Sequence, residues 1–270
     1  AIGFNWFRKS KVSKFLIKET AKCLFETCKF AGIRNYGSIK ELNSITKIKG
    51  KLKWLPCPTT IINTMLENNI DLGFKEKTNK LILKKNYISD KKNKTLAINL
   101  SCDRLEQRNI MTSDFIKLRL LLRNLNRKGF EIVYLAHKDL DLLAYEKIGS
   151  QFFSKVVNIS SSSIDKIIEN YLDFDCVMGG RGHSLMIPFG LGIPIISITS
   201  HDKQKYFMQD AKLDFFDIEL ADLSEVEIDK MGKDQIKELS RQNKYNNSYQ
   251  SKGINAWSDF VNVIREIEDL

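Results

Sequence analysis

The sequence predicts an α/β fold made of two units with a crevice between them. From residue 94 onward, apolar runs of strand length alternate with segments of helical period, and the strands are apolar along their whole length. A segment with two prolines at 54–60 separates this part from a shorter unit before it. Strands that are apolar throughout are typical of a parallel sheet covered by helices on both faces. We therefore expect a doubly wound, Rossmann-like domain of about six strands over residues 95–250.

The predicted elements of this domain follow one another closely along the chain. Strands are expected at 95–100, 131–136, 156–159, 175–178, 194–198 and 216–219, and helices at 113–128, 140–148, 163–171, 183–191 and 201–211. Ser113 is expected to cap the first of these helices. The charged segment that follows is expected to be helical, and its end at 251–270, with Trp257 and Phe260, to pack back on the first unit.

Residues 1–55 are expected to form a partial N-terminal α/β domain. A helix at 12–23, a strand at 30–34 and a short helix capped by Ser38 are predicted there. Because the sequence begins with Ala and shows no clear first strand, we expect this domain to be truncated. Residues 56–94 are expected to be a linker followed by a lysine-rich loop or hairpin, since 71–94 is polar and without clear periodicity.

Composition narrows the classes of function. With 43% hydrophobic and 28% charged residues, the chain is a globular protein and not a disordered one. The net charge of +10 comes mainly from lysines that are spread along the chain, which disfavours a nucleic-acid surface. We expect at most a weak attraction to acidic substrates or to an anionic membrane surface.

Cysteine usage and hydropathy predict the compartment. The five cysteines form no C-x-x-C pair, which disfavours a zinc site and a disulfide framework. No run of 18 apolar residues and no signal peptide occurs in the sequence. We therefore expect a cytoplasmic location, with peripheral association at the inner face of the membrane as a further expectation.

The strongest site candidate is the stretch Met178–Ser184, which follows a predicted strand and opens a helix. Gly180 and Gly182 would let the backbone approach a ligand, and the start of a helix favours an anion. Arg181 adds a forked cation suited to phosphate or carboxylate, and His183 can exchange a proton near neutral pH. The glycine spacing fits neither a dinucleotide fingerprint nor a P-loop. A glycine turn with a surface arginine and a capping histidine is the alternative.

Further candidates follow other strands at the same edge of the predicted sheet. His137 and His201 each come shortly after a strand, as does Lys203. A loop position for His137 and a capping role for Ser200 are the structural alternatives. Arg104 and Arg108 follow the first strand, where a local salt-bridge network is the alternative.

Two Asp-x-Asp pairs, Asp139 with Asp141 and Asp173 with Asp175, have a spacing that can hold a divalent metal. The second pair lies at the start of its strand and so at the wrong end of the sheet. We interpret both pairs as chance. No metal site is therefore predicted.

The stretch Arg181–His183, the residues 187–196 that follow it, and Ser200–Lys203 together resemble the polysaccharide pyruvyl transferase family. Residues 33–38 (IRNYGS) and 54–59 (WLPCPT) are similar to two weaker motifs of the same family. The resemblance covers roughly residues 30–215. It departs from the family at Asn35, where an acidic residue is common, and in the missing first half of the N-terminal domain.

This resemblance implies a GT-B-like fold of two Rossmann-like domains and an enzyme that uses phosphoenolpyruvate. The enolpyruvyl unit would pass to a hydroxyl of a sugar or oligosaccharide, free or lipid-linked, giving a pyruvate ketal and phosphate. His183 would be catalytic and Arg181 would bind the donor phosphate. Arg104 or Arg108 would supply a second donor contact, and no cofactor or metal would be needed. Among the site candidates above, Gly180, Gly182 and Lys203 would be further donor contacts.

Two alternatives share much of this sequence signal. A GT-B-type glycosyltransferase with a nucleotide-sugar donor would have the same crevice, although no acidic residue for a ribose occurs between 184 and 199. A non-catalytic protein that binds an anionic glycan would use the lysine surplus.

Overall fold

The α/β class predicted from the sequence is confirmed in a computed structural model of the chain. The structure describes residues 30–46, 52–84, 94–100, 112–199, 202–219 and 238–268, with scattered single positions elsewhere. Two parallel sheets lie within these ranges, one of two strands in the order β1-β2 and one of six in the order β5-β4-β3-β6-β7-β8. The larger sheet has the strand order of a doubly wound Rossmann-like fold, with its first strand, β3, in the middle.

The strands are short, and most are close to their predicted positions. They are β1 (Ala31–Ile33), β2 (Leu52–Trp54), β3 (Lys94–Asn99), β4 (Phe130–Ala136), β5 (Lys155–Asn158), β6 (Cys176–Gly179), β7 (Ile195–Ile198) and β8 (Asp217–Ile218). The helices are α1 (Tyr36–Thr46), α2 (Ile62–Glu67), α3 (Glu76–Lys84), α4 (Thr112–Arg127), α5 (Leu142–Ile148), α6 (Ile164–Leu172), α7 (Gly182–Gly190), α8 (Asp202–Asp210) and α9 (Gln242–Glu268). Short 3₁₀ turns at Pro58–Thr60 and Asp139–Asp141 matter for the site.

The central strands of the six-stranded sheet are buried on both faces, as continuous apolar strands predict, whereas the edge strand β5 is mostly exposed. Successive residues of β3 belong to opposite faces: Leu96 and Ile98 pack into one apolar cluster and Ala97 into the other. The first cluster continues through α4 and α7 to Tyr249 of α9. Burial of two apolar faces at about 25 cal/mol per Å² is the main stabilising contribution to this domain.

Two predicted N-caps are wrong. The backbone N–H of Ser38 donates to Asn35 Oδ1 over 3.2 Å, so Asn35 and not Ser38 holds the start of α1. This helix also continues to Thr46, beyond the short segment expected. In α4, Ser113 is the second helical residue and not the cap.

The lysine-rich segment differs most from its prediction. Instead of a loop or hairpin over 71–94, the chain forms α3, and Thr78 and Ile82 on one face of it are buried. These two residues are four apart, which places them on one side of a helix, while its lysines face solvent. The helix is too short, and its charged residues too many, for a helical period of apolar residues to be recognised in the sequence. Residues 85–93 of the predicted hairpin lie outside the described residues.

The last helix begins at Gln242, so the predicted boundary at residue 250 falls inside it. Its aromatic side chains reach the first unit: the indole N–H of Trp257 donates to the Pro56 carbonyl over 3.0 Å, and the rings of Phe260 and Phe30 are 5.2 Å apart. Its first residue also contacts the large sheet, since the Gln242 amide bonds both the N–H and the carbonyl of Ile195. The helix therefore contacts both parallel sheets, although the domain division proposed from the sequence stays a prediction.

Candidate active site

The candidate site lies at the carboxyl edge of the six-stranded sheet, where β3 and β6 are neighbours. From β3 the strand order continues to β4 and from β6 it continues to β7, in opposite directions across the sheet, which makes this the switch point at which doubly wound folds bind ligands. A cavity of about 360 Å³ opens there, and we call it the edge cavity. It is lined by Arg34, His137, Lys138, Gly180, Arg181, Gly182, His183, Met186, Lys203 and Gln204.

The turn from β6 into α7 brings backbone and side chains to this cavity. Arg181 has extended backbone angles, and the helix begins at the next residue, Gly182. The Ser184 hydroxyl accepts from the Arg181 N–H over 3.1 Å and donates to the Arg181 carbonyl over 2.8 Å, which fixes the turn. The first N–H groups of a helix have no acceptor within the helix, so this turn offers donors to an anion.

The two glycines of the turn have different surroundings. The Gly180 N–H donates to the Asn99 carbonyl over 2.7 Å, and a Cβ atom at Gly180 would lie 3.0 Å from that oxygen. Gly180 therefore serves the close approach of β6 to β3. A Cβ atom at Gly182 would meet nothing nearer than Met186 Cε at 4.0 Å, so this position is open.

Arg181 is held by a carboxylate that sequence reasoning dismissed. Its Nε and Nη2 atoms lie 2.9 and 2.6 Å from Asp141 Oδ1, and the Asp141 side chain is fully buried. The sequence analysis weighed Asp141 only as half of a metal-binding pair and did not anticipate its contact with Arg181. A buried carboxylate with a forked arginine partner has the geometry in which an ion pair is tolerated away from water.

Asp141 also joins three strand ends through its second oxygen. Asp141 Oδ2 accepts from the backbone N–H groups of His137 and Lys138, at 3.0 and 3.2 Å, and from Asn99 Nδ2 at 3.2 Å. These donors follow β4 or end β3, while Arg181 follows β6. One carboxylate therefore fixes the cavity wall and neutralises the charge of Arg181.

His137 is held neutral against the same wall. Its Nε2 atom lies 2.5 Å from the hydroxyl of Tyr171, which is fully buried. Burial lowers the pKa of His137 to about 4, with the charges of His183 and Arg181 acting in the same direction and Asp141 opposing them. At neutral pH this imidazole therefore carries no charge. His137 lies in the loop directly after β4, where its half-buried side chain also lines the edge cavity.

His183 lies on the first turn of α7, exposed toward the cavity, with a thiol behind it. Its Nε2 atom is 3.9 Å from Cys57 Sγ, and Cys57 is 9% exposed. Burial raises the pKa of Cys57, but hydrogen bonds from His183 and Thr59 lower it more, to about 7. His183 thus contacts the linker that follows the first unit.

Arg34 is a cavity residue that the sequence analysis did not single out. It follows β1 and reaches the edge cavity from the two-stranded sheet. Its Nε atom is buried without a hydrogen-bond partner among the described residues. A buried donor in this state costs free energy unless an acceptor binds it, so the position suits an anionic ligand.

Two lysines complete the wall, one predicted and one not. Lys203, in the first turn of α8, lines the cavity as expected, and Lys138 lines it beside His137. The other predicted residues of the site, Arg104, Arg108, Ser200 and His201, lie outside the described residues.

The missed residues had weak signals in the sequence. Arginine is rare beside lysine in this chain, and the argument made for Arg104 and Arg108 applies equally to Arg34, which also follows a strand. Asp141 follows β4 closely, but a buried acceptor cannot be distinguished by sequence from the exposed Asp139 two residues before it.

Two further observations concern the described part of the chain. Within it, no helix is long and apolar enough to cross a membrane. No three His, Cys, Asp or Glu side chains converge there in a way that could hold a metal ion.

Comparison with known proteins identifies a family for this chain. The model of the polysaccharide pyruvyl transferase family matches residues 1–202. No curated protein matches the sequence significantly. Among solved structures, the chain is similar to WaaG, a glycosyltransferase involved in lipopolysaccharide biosynthesis, with 11% identity and a TM-score of 0.45. That alignment covers 91% of this chain and 66% of WaaG, so the chain spans slightly less than two thirds of that protein's length.

Proposed function

Since the chain belongs to the polysaccharide pyruvyl transferase family, we propose that it moves the enolpyruvyl unit of phosphoenolpyruvate to a sugar hydroxyl. The acceptor would be a cell-surface polysaccharide or its lipid-linked precursor, and the products a pyruvate ketal and phosphate. The observation that supports this donor is the set of cations around the edge cavity. Arg34, Lys138, Arg181 and Lys203 line it, and no carboxylate is among its lining residues in the described part of the chain.

Phosphoenolpyruvate carries a phosphate and a carboxylate, so it needs cationic contacts at two places. Arg181 and the first backbone N–H groups of α7 offer hydrogen bonds to one of these anionic groups. Arg34 approaches the cavity from the other unit and can contact the second. Because Asp141 neutralises Arg181, further cations are needed to attract an anionic donor, and Arg34 and Lys138 bring positive charge to the cavity. We infer that Arg34 takes the contact for which the sequence offered Arg104 or Arg108.

The chemistry then requires a proton donor and acceptor beside the bound donor. A proton added to the methylene carbon of phosphoenolpyruvate gives a cation at C2, which the first sugar hydroxyl attacks as it loses its proton. The C2–O bond to phosphate breaks, phosphate leaves, and a second hydroxyl closes the ketal as it loses its proton. His183 lines the cavity, and we assign it these transfers. His137 also lines the cavity, but burial lowers its pKa to about 4 and its Nε2 atom is held by the Tyr171 hydroxyl, so it is not given this role.

Arg34→Ala tests the donor assignment. A charge-assisted hydrogen bond contributes about 1.5–3 kcal/mol, so phosphoenolpyruvate should bind about 10- to 150-fold more weakly in calorimetry. Arg34→Lys should recover only part of this, because the fork is lost. Arg241→Ala, which removes an exposed arginine outside the cavity lining, is the matched control.

Phosphate release and thermal shift test the activity and the identity of the donor. Wild type should release phosphate from phosphoenolpyruvate when a pyruvylatable glycan is present, and His183→Gln should lose on the order of 10²-fold or more in rate. Stabilisation by a nucleotide sugar but not by phosphoenolpyruvate in thermal shift would instead support the glycosyltransferase alternative. Stabilisation by a glycan alone, without turnover, would support the binding protein.

A further inference from the structure

Cys57 is a buried thiol that the proposed reaction does not use. Its Sγ atom lies 3.9 Å from His183 Nε2 and 3.1 Å from Thr59 Oγ1, both within hydrogen-bonding range for sulfur. The thiol is not among the groups that line the edge cavity, whereas His183 is. Cys57 therefore acts on His183 from behind and does not touch a ligand in the cavity.

The backbone around Cys57 is fixed from several sides. Its carbonyl accepts from the Thr60 N–H at 2.9 Å and from the Thr60 hydroxyl at 2.6 Å. The preceding carbonyl, of Pro56, accepts from Trp257 of α9. Gly190, at the end of α7, lies so close to Thr59 that a Cβ atom there would be 1.9 Å from the Thr59 carbonyl oxygen. The linker that carries Cys57 and the helix that carries His183 are thus packed firmly against each other, which fixes the distance between the thiol and the imidazole.

We propose that Cys57 is a positioning residue that shares a proton with His183 Nε2 and leaves Nδ1 to exchange protons with the substrate. This inference rests on the proposed acid–base role of His183. When Nδ1 holds no proton, the Nε2–H group donates to the Cys57 thiolate. When Nδ1 takes a proton, the second proton stays between Nε2 and sulfur, on either atom, so one proton enters and leaves at Nδ1 alone.

The other titratable groups that face the pair each keep one charge state near neutral pH. Burial raises the pKa of Tyr249, which faces Cys57 from α9, so that phenol stays neutral. His137, after β4, is neutral because its pKa is about 4. Arg34 and Arg181 stay charged, the latter beside Asp141. The pKa of about 7 for Cys57 agrees with a proton shared near the working pH.

The first test measures the thiolate directly and needs no turnover. The thiolate absorbs at about 240 nm. The difference in this absorbance between wild type and Cys57→Ser should increase as the pH is raised, with a midpoint near pH 7. In the His183→Gln background the same difference should titrate at clearly higher pH, because the partner that stabilises the thiolate is gone. Cys23→Ser, which removes an exposed thiol, is the control and should leave the midpoint of the Cys57 signal unchanged.

The second test uses the pH profile of phosphate release. Cys57→Ser keeps a hydroxyl near Nε2 but cannot supply a thiolate near neutral pH, so the ionisation in the wild-type profile should move to lower pH, because the negative charge that favours the imidazolium is gone. Cys57→Ala should shift the profile in the same direction. A lower melting temperature with an unchanged profile would show a merely structural role and overturn the proposal.

The two tests separate this inference from the proposed function. A thiolate midpoint that depends on His183, in a protein that releases no phosphate from phosphoenolpyruvate, supports the pair and contradicts the donor. Turnover with a midpoint that His183→Gln does not move supports the donor and contradicts the pair.

Discussion

At the scale of single residues, the site depends on charges that are taken out of water and compensated. Asp141 is fully buried and accepts hydrogen bonds from Arg181, two backbone N–H groups and Asn99. Removing one partner of such a group leaves the others unpaired, which costs more than the pair itself contributes. This also means that Arg181→Ala would confound a loss of donor binding with a loss of stability.

Asp141→Asn should therefore destabilise the protein strongly. The asparagine keeps the shape but leaves Arg181 without its counter-ion, at a cost of about 3–5 kcal/mol. For a chain of this size that corresponds to a melting temperature lower by roughly 10 °C. Asp139→Asn is the matched control, since that carboxylate lies on the same turn but is exposed, and its effect should be small. Equal losses in the two variants would contradict the assigned role.

His137 should make stability depend on pH in the acid range. Its folded pKa of about 4 lies below the ordinary 6.5, so below pH 6.5 the unfolded chain binds more protons than the folded one. Stability from this group should fall as the pH drops from 6.5 to 4, by up to about 1.4 kcal/mol per pH unit. Urea unfolding of wild type and His137→Gln across this range measures it. A free-energy difference between them that stays constant with pH would sink the interpretation.

At the scale of elements, the contact between α1 and α8 contains a half-buried carboxyl group. Asp210 Oδ2 accepts from the Tyr36 N–H at the start of α1 over 3.0 Å. Burial raises the pKa of Asp210 to about 7; the charge of Asp214 adds to this and the Tyr36 hydrogen bond opposes it. The packing of these two helices thus favours the protonated acid.

Asp210→Asn should stabilise the protein above pH 7. The folded pKa is raised, so stability from Asp210 is fully present below pH 4 and is lost as the pH rises to 7. Asparagine keeps an acceptor for Tyr36 and does not ionise. The gain should be on the order of 2 kcal/mol, allowing for partial exposure, and should vanish below pH 4. Melting temperatures across pH test this, with the exposed Asp259→Asn as control; a gain of equal size at pH 4 and pH 8 would count against it.

The elements also show what local sequence can reveal. Most strands of the large sheet were predictable because they are apolar runs bounded by polar residues, although β8, Asp217–Ile218, is not such a run. The turn at Arg181 and His183 was predictable because glycines mark it. The helix α3 was missed because only Thr78 and Ile82 of its face are buried. Arg34 and Asp141 were missed because they reach the cavity by contacts across 40 to nearly 150 residues of chain, which no local pattern records.

At the scale of the whole molecule, the linker after β2 joins the two sheets through a contact between backbones. A Cβ atom at Gly190 would lie 1.9 Å from the Thr59 oxygen and 2.8 Å from its carbonyl carbon. Main-chain atoms cannot turn aside as a flexible side chain can. The segment that carries Cys57 and the helix that carries His183 therefore fit together only with glycine at this position.

Gly190→Ala should lower the melting temperature of the protein. Overpacking of this kind costs typically about 1–3 kcal/mol, although alanine favours a helix more than glycine does. Gly182→Ala, in the open first turn of the same helix, should leave the melting temperature nearly unchanged. A Gly190→Ala protein as stable as wild type would show that the linker can move away freely.

Two tryptophans provide a natural fluorescent probe of the contact between the two units. The Trp257 indole donates to the Pro56 carbonyl, and Trp54 lies against both Tyr36 and Tyr249. Two of the three tryptophans of the chain therefore lie between the two sheets, while Trp6 lies outside the described residues. Indole emission depends on how wet and how closely packed the ring is. Intrinsic fluorescence should accordingly report in real time whether the two units open or close when a donor enters the edge cavity.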